Sequence, residues 1–287
     1  MSKVIRYFPP LEEWIYLKIY INPIASNFVI DNYIRPIVDS IYPSISDKWF
    51  FIRYFDIGYH IRLRFHFSNK RKLMSALKII HNYLKQAVLN GYIHSWNIDG
   101  YERELERYGA ENILLTENLF CLNSNLVLHT LEYLHNSIFI TNCFAIWTIH
   151  DILSRFIQDN NNRAEFCRNV MLSYLHELNL SEDSFISMNK SFRNYRSFLN
   201  TLDTSIKTFS SFSKEISYLQ NDYFEAMNKI IRSSNCIKNQ TINYASLIHL
   251  NTNRIYQTEA RKIEMVLYYL LYKKYHSDSF KKELQRN

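Results

Sequence analysis

Trp49-Phe-Phe-Ile-Arg-Tyr-Phe55, Asp56-Ile-Gly-Tyr59 and His60-Ile-Arg-Leu-Arg-Phe-His-Phe67 decide the fold. An aromatic and β-branched run, a turn signal and a strictly alternating run predict an antiparallel hairpin. The alternation of the second strand puts Ile61, Leu63, Phe65 and Phe67 on one face, and His60, Arg62, Arg64 and His66 on the other. Neighbours on that face lie about 6.5–7 Å apart. Two guanidinium groups at such a separation can hold both carboxylates of a small dianion, or one carboxylate and a developing oxyanion. The plain alternative is the solvated outer face of an edge strand.

On either side of the hairpin the pattern alternates between strand and helix. Trp14–Tyr20 reads as a strand, and Ser26–Ile41 as a helix with Ser26 or Asn27 as its cap. A helix over Arg71–Leu89, stopped by Gly91, precedes two short strands, Tyr92–Ile98 and Tyr101–Tyr108. The order β-α-β-β-α-β-β predicts an antiparallel or mixed sheet with helices on one face. All four glycines and all five prolines fall within the first 109 residues. From Glu111 onward, apolar residues recur at helical spacing, with no strong backbone breaker. Loops are expected near Asp159–Asn162, Leu178–Asp183 (with Ser181 as a cap), Ser210–Ser213 and Ser233–Asn239. The last helix is expected over Thr258–Tyr275, with a frayed charged tail. The fold class is thus α+β. It is read as one domain over 1–287, with a sheet-containing part (1–109) and a mainly helical part (110–287) packed on it.

Composition narrows the function classes. With 287 residues and 47% hydrophobic content, the chain can bury a sizeable core. No apolar run is long enough for a membrane span, and Met1–Pro10 has no signal-peptide pattern, so a cytoplasmic protein is expected. Cys121, Cys143, Cys167 and Cys236 are widely spaced and read as buried thiols; no metal site is expected. A net charge of +7 suits an anionic partner or a merely basic surface.

Two further segments carry candidate chemistry. Read as a strand, Tyr101-Glu-Arg-Glu-Leu-Glu-Arg-Tyr-Gly109 puts Glu102, Glu104 and Glu106 on one side, and Tyr101, Arg103, Leu105 and Arg107 on the other. Arg107 stands just before a helix start, a position that favours anions; a surface strand laced with ion pairs is the alternative. On a helix, His249 and Asn253 in Ser246-Leu-Ile-His-Leu-Asn-Thr-Asn-Arg-Ile255 share a face beside Arg254. A hydrogen-bonded core histidine is the alternative there.

Taken in order, Trp49–Tyr54, His60–Phe65, Tyr101–Gly109, Thr116–Phe120 and His249–Arg254 resemble the C-terminal elimination domain of lantibiotic dehydratases, the thiopeptide-type bacteriocin biosynthesis domain. The resemblance spans about Trp14 to Tyr275. It departs at Tyr59 (usually Pro), at Tyr101-Glu-Arg-Glu104 (a Tyr-x-Pro-Glu pattern), at Ala110 (a second Gly) and at Asn123-Ser124 (Asp-Ser), departures that bear on substrate positioning.

The resemblance implies an enzyme that removes glutamate from glutamylated Ser or Thr of a precursor peptide, leaving dehydroalanine or dehydrobutyrine. Arg62, Arg64, Arg107 and His249 match its catalytic positions; His60, Tyr101, Asn253 and Arg254 are the substrate-binding candidates. Arg62 and Arg64 would serve the glutamyl group and oxyanion, Arg107 the glutamate carboxylate, and His249 proton transfer. No cofactor or metal is expected. The expected partners are the ribosomal precursor peptide and a separate tRNA-Glu-dependent glutamylation protein, with no direct nucleic-acid contact. One rival of the same fold forms a pyridine or piperidine ring from two dehydroalanines by formal [4+2] cycloaddition. Another is a peptide- or RNA-binding scaffold using the basic, aromatic surface. The reading requires the early arginines and the late imidazole to share one pocket.

Overall fold

In the computed structural model, which describes residues 4–134, 137–181, 183–202, 214–236 and 243–284, the hairpin forms where its alternation requires. The strands are β1 (Tyr7–Phe8), β2 (Trp14–Ile21), β3 (Lys48–Phe55), β4 (Tyr59–His66), β5 (Ile93–Asp99) and β6 (Tyr101–Glu102). The chain divides into two compact units, Met1–Glu132 with Tyr218–Asn243, and Tyr133–Ser217 with Tyr244–Asn287.

In the first unit, four strands form a sheet in the order β3-β4-β2-β5, every neighbour antiparallel. Of the two sheet types expected, the antiparallel one is present. With a helical connection after β2 and another after β4, this is the ferredoxin-like β-α-β-β-α-β arrangement. One face is the core. Ile61, Leu63 and Phe65 are fully buried there with Ile15, Leu17, Ile19, Trp49 and Phe51. Each such side chain contributes roughly 1.5–3 kcal/mol by leaving water. Helix Leu73–Leu89 buries Leu73, Ala76, Ile80, Leu84 and Ala87, one stripe at three- and four-residue spacing, and packs on β5 and on helix Arg35–Ile41. At the edge strand β3, the Phe51 N–H donates to Ser124 Oγ (3.3 Å) and the Trp49 indole to Asn125 Oδ1 (2.8 Å), both on helix Ile113–Leu134.

Several local expectations are corrected. The first helical stretch starts at Pro23, capped by Asn22, whose Oδ1 accepts from the Ile24 N–H at 3.0 Å. Pro at the first position has no N–H to satisfy, so Asn-Pro starts the helix before Ser26 does. The Ser26 hydroxyl instead bonds the buried Arg53. The strand expected over Tyr101–Tyr108 is only β6, and Leu105–Tyr108 is a single helical turn. Its antiparallel partner β1 starts at Tyr7, opposite Glu102, and past that pair only the Arg103 N–H continues the pairing, to the Arg6 carbonyl at 2.8 Å. The freed N–H groups of Arg107 and Tyr108 both turn back to the Glu104 carbonyl, at 3.0 and 3.2 Å. The last helix runs Ala260–Leu284, past Tyr275, supported by a Lys274–Asp278 pair at 2.7 Å. The break expected at Ser210–Ser213 lies outside the described residues, as does Ser233–Asn239 beyond Cys236, where helix Lys214–Cys236 ends.

The second unit is helical, as the absence of breakers predicts. Helix Ala260–Leu284 contacts Ile138–Phe156, Asn160–Glu177, Ser184–Asn200 and Tyr244–Ile255. No described helix is long and apolar enough to cross a membrane. Cys121, Cys143 and Cys167 are buried free thiols; burial pushes Cys143 up to about 12. The Cys236 side chain lies outside the described set.

Candidate active site

The register of the sheet determines what the outer face carries. Residues directly opposite one another on antiparallel strands share a face. Tyr16 stands opposite Arg64, and Lys18 opposite Arg62, while Asp99 on β5 stands opposite Tyr16. Phe50 on β3 lies opposite Arg64 from the other side. Above this face opens a cavity of about 460 Å³, lined by Tyr16, Lys18, Arg62 and Arg64 from the sheet. Its other wall is Arg6 and the Gly100–Arg107 segment, including Glu102, Arg103, Glu104, Glu106 and Arg107. Thus Arg62, Arg64 and Arg107 do share one cavity, although the segment carrying Arg107 is a turn rather than a strand.

The six cations of this cavity differ in whether a carboxylate neutralises them. Arg103 is buried and bound bidentately by the fully buried Glu117, at 2.6 and 2.8 Å. Lys18 pairs with Asp99 at 2.6 Å. That contact holds the Asp99 carboxyl below, and the Lys18 ammonium above, their usual values. Arg6 bridges Glu102 and Glu106. Arg107 pairs with Glu104 at 2.7 Å, with both side chains about half exposed. Arg62 donates to His60 Nε2 at 3.1 Å, reaches Asp56 only at 3.5 Å, and stacks on the Tyr54 ring at 3.4 Å.

Arg64 differs from all of these. It is 8% exposed, and its Nε is buried with no hydrogen-bond partner. Among the described residues no carboxylate pairs with it. Its guanidinium instead lies over Tyr16 at 4.1 Å, with Phe50 and Tyr101 each at 5.2 Å. Desolvation lowers its pKa, partly offset by nearby tyrosines. Arginine nevertheless stays charged at neutral pH. A buried cation with aromatic walls, on the floor of an open cavity, has the chemistry to receive a carboxylate or oxyanion.

The remaining candidates hold other positions. His60 is fully buried, with Nδ1 against the Gly58 carbonyl at 2.9 Å, and it braces Arg62. Tyr101 is buried behind Arg64, and its hydroxyl donates to Glu117 at 3.1 Å. Both stand behind the cavity wall. In the second unit, His249 is partly exposed on helix Tyr244–Ile255, with Nδ1 2.9 Å from Glu264 Oε2. Arg254 is buried and Asn253 half-buried on the same helix.

Sequence reasoning passed over Lys18, Tyr16, Arg103 with Glu117, and Arg6. Lys18 and Tyr16 were detectable: in Trp14–Tyr20 they alternate onto one face, as the arginines do in β4. Which strand lies beside β4 depends on the sheet order, and that order is not local. Strand periodicity puts Arg103 on the same side as Arg107, but the segment is a strand only over Tyr101–Glu102 and a helical turn over Leu105–Tyr108.

Comparison with known proteins bears on this geometry. The family model described as lantibiotic biosynthesis dehydratase C-term matches residues 14–275. The nisin biosynthesis protein NisB of Lactococcus lactis subsp. lactis is 27% identical over 284 residues, covering 95% of this chain and 26% of its own length. The subtilin biosynthesis protein SpaB of Bacillus subtilis is 25% identical, covering 89% of this chain and 25% of its own. The chain therefore spans about a quarter of the curated relatives it matches. Two solved structures share the fold. The tRNA-dependent lantibiotic dehydratase MibB of Microbispora sp. 107891 has a TM-score of 0.70 at 18% identity, covering 95% of this chain and 28% of that one. The pyridine synthase TbtD from thiomuracin biosynthesis has a TM-score of 0.66 at 13% identity, covering 93% and 98%.

Proposed function

Because the chain belongs to the lantibiotic biosynthesis dehydratase C-terminal family, a family of peptide-antibiotic biosynthesis, we propose that it catalyses glutamate elimination from glutamylated Ser and Thr of a ribosomal precursor peptide. The observation that carries this reading is Arg64, a buried guanidinium without a carboxylate partner among the described residues, in one cavity with Arg62 and Arg107.

The reaction needs what these groups supply. The Cα–H bond of the esterified residue breaks, and its proton passes to His249. The electron pair flows into an enolate-like oxyanion, then forms the Cα=Cβ bond as the Cβ–O bond breaks. Glutamate departs as its carboxylate, leaving dehydroalanine from Ser or dehydrobutyrine from Thr. Fixed positive groups stabilise charge that develops in the transition state, and a dry site makes them more effective. Arg64, with Arg62, faces the glutamyl group and the oxyanion. Arg107 takes the glutamate carboxylate in exchange for Glu104. Exposed ion pairs contribute only about 0–1 kcal/mol, so this exchange costs little. Lys18 adds a fixed charge on the same face. On this reading the partners are the precursor peptide and a separate tRNA-Glu-dependent glutamylation protein that makes the ester first, and the chain acts in the cytoplasm without a cofactor.

The test supplies two purified peptides, one carrying glutamyl esters and one carrying dehydroalanines. Mass loss of glutamate from the first supports elimination, and Arg107→Ala and His249→Ala then leave the ester intact. Ring formation from the second, with the first untouched, assigns the chain to cycloaddition instead. Salt-sensitive binding of both peptides without turnover identifies a scaffold.

A further inference from the structure

The His249 imidazole is not free on both sides. Helices Tyr244–Ile255 and Ala260–Leu284 are joined by a four-residue link, in which Glu259 adopts φ +51°. That hairpin brings Glu264 back beside His249, with Nδ1 2.9 Å from Oε2. Glu264 is fully buried while His249 keeps an exposed edge, at 27% of its side chain. The other carboxylate oxygen, Oε1, has no hydrogen-bond partner. A buried carboxylate aimed at one ring nitrogen of a partly exposed histidine is the geometry that fixes its tautomer.

We infer that Glu264 is a positioning residue that holds the proton on Nδ1 of His249, so that Nε2 enters the elimination as a neutral base. An ionised carboxylate only accepts hydrogen bonds, so Nδ1 must donate and Nε2 keeps its lone pair. The same carboxylate then stabilises the imidazolium formed when Nε2 takes the substrate Cα proton. This rests on the elimination reading and orders its steps: His249 acts as base first and as acid only afterwards.

The titratable and charged groups around the carboxylate are compatible with its charge. Tyr174 and Glu177 come from helix Asn160–Glu177, Tyr268 and Arg261 from its own helix. Burial first, and then the Glu264 charge, push both tyrosine hydroxyls up, so they stay protonated and add no second anion. Arg261 spans Glu177 at 3.1 Å and offsets that charge.

The first test needs no variant. Nitrogen-15 NMR of His249 in the whole chain at pH 8 is expected to show the Nδ1–H tautomer; an Nε2–H tautomer overturns the inference. The second test measures turnover of a glutamylated peptide from pH 5 to 9. Glu264→Gln, which keeps shape and removes charge, is expected to lower kcat roughly a hundredfold or more with little change in KM. Glu264→Asp should restore part of the rate. If Glu264→Gln keeps the wild-type kcat while His249→Asn is inactive, the positioning role is wrong and the elimination reading survives. If His249→Asn itself turns over normally, the base assignment fails and Glu264's part fails with it.

Discussion

Replacing Arg64 with methionine should make the protein more stable and unable to hold its ligand. Arg64 is buried, its Nε lacks a partner, and no carboxylate among the described residues forms an ion pair with it, although Glu104 acts on it from a distance. A buried unsatisfied donor costs about 1–3 kcal/mol, more when charged. Against this stand the contacts with Tyr16, Phe50 and Tyr101, together about 2 kcal/mol for a desolvated cation over aromatic rings. Methionine restores about 1 kcal/mol of that through sulfur–aromatic contact and removes the unpaired charge. The net expectation is a gain of about 1–2 kcal/mol, or roughly 2–8 °C in Tm for a unit of this size. The assay is urea unfolding in a Trp147→Phe background, so that Trp14, Trp49 and Trp96 report the first unit alone. Each measurement is repeated with free glutamate as the probe. At about a hundred times its Kd, a ligand adds roughly 2.7 kcal/mol to a protein that binds it. Wild type should show that gain and Arg64→Met should not. A loss of stability above about 1 kcal/mol in Arg64→Met refutes the reasoning, because Arg64 would then be a structural cation rather than a receptor.

The neighbouring arginine behaves oppositely. Glu117→Ala leaves Arg103 buried and unpaired and should cost about 3–5 kcal/mol by urea unfolding, whereas Arg103→Met with Glu117→Leu should recover most of it. A cost under about 1 kcal/mol for the single change contradicts the buried pair. Gly109, at φ 76° and ψ 139°, occupies a region closed to other residues, so Gly109→Ala should cost about 1–3 kcal/mol and displace Arg107; unchanged stability and turnover count against this. Burial, and then Arg62 and Lys18, hold the His60 imidazole below its usual value despite the Gly58 carbonyl and Asp56. Its contribution is therefore complete above about pH 6.5, its unfolded value, and is lost as pH falls from there towards the folded value. Stability measured from pH 7.5 to 5 should fall in wild type and fall less in His60→Gln; parallel curves dismiss the effect.

Legibility in the sequence followed the range of the interactions involved. The β3–β4 hairpin and the face shared by Arg62 and Arg64 depend only on period two and a turn, so they are readable from Trp49–Phe67 alone. The position of β2 beside β4, which brings Lys18 and Tyr16 to the site, depends on a strand order set by two helical crossovers. Local spacing misleads most at Tyr101–Tyr108, where charged alternation imitates a strand although the antiparallel partner strand begins only at Tyr7, opposite Glu102. At His249 helical spacing points only to the i+4 neighbour Asn253. Glu264 lies fifteen residues on, and it becomes a neighbour only once the helices fold back on each other.

The partnering of the cavity cations also argues for the kind of ligand it takes. Arg103 is locked by a buried carboxylate and cannot be recruited without the cost of breaking that pair. Lys18 and Arg6 hold their acids at contact distance. Arg64 has no acid at ion-pair distance among the described residues, and Arg107 has one that is solvent-exposed. On the proposed reading one anionic group meets Arg64 and Arg62 at no loss of a close internal pair, and a second reaches Arg107 by exchange with Glu104. A single-carboxylate ligand should need Arg64 alone, and its affinity should be indifferent to Arg107→Ala. A ligand with an oxyanion and a carboxylate at two ends should lose affinity in both Arg64→Met and Arg107→Ala, with the Arg107 contribution falling steeply as salt rises because that pair is exposed. Equal salt dependence of the two contributions means that the arginines face the same environment, and the division of labour between them is then wrong.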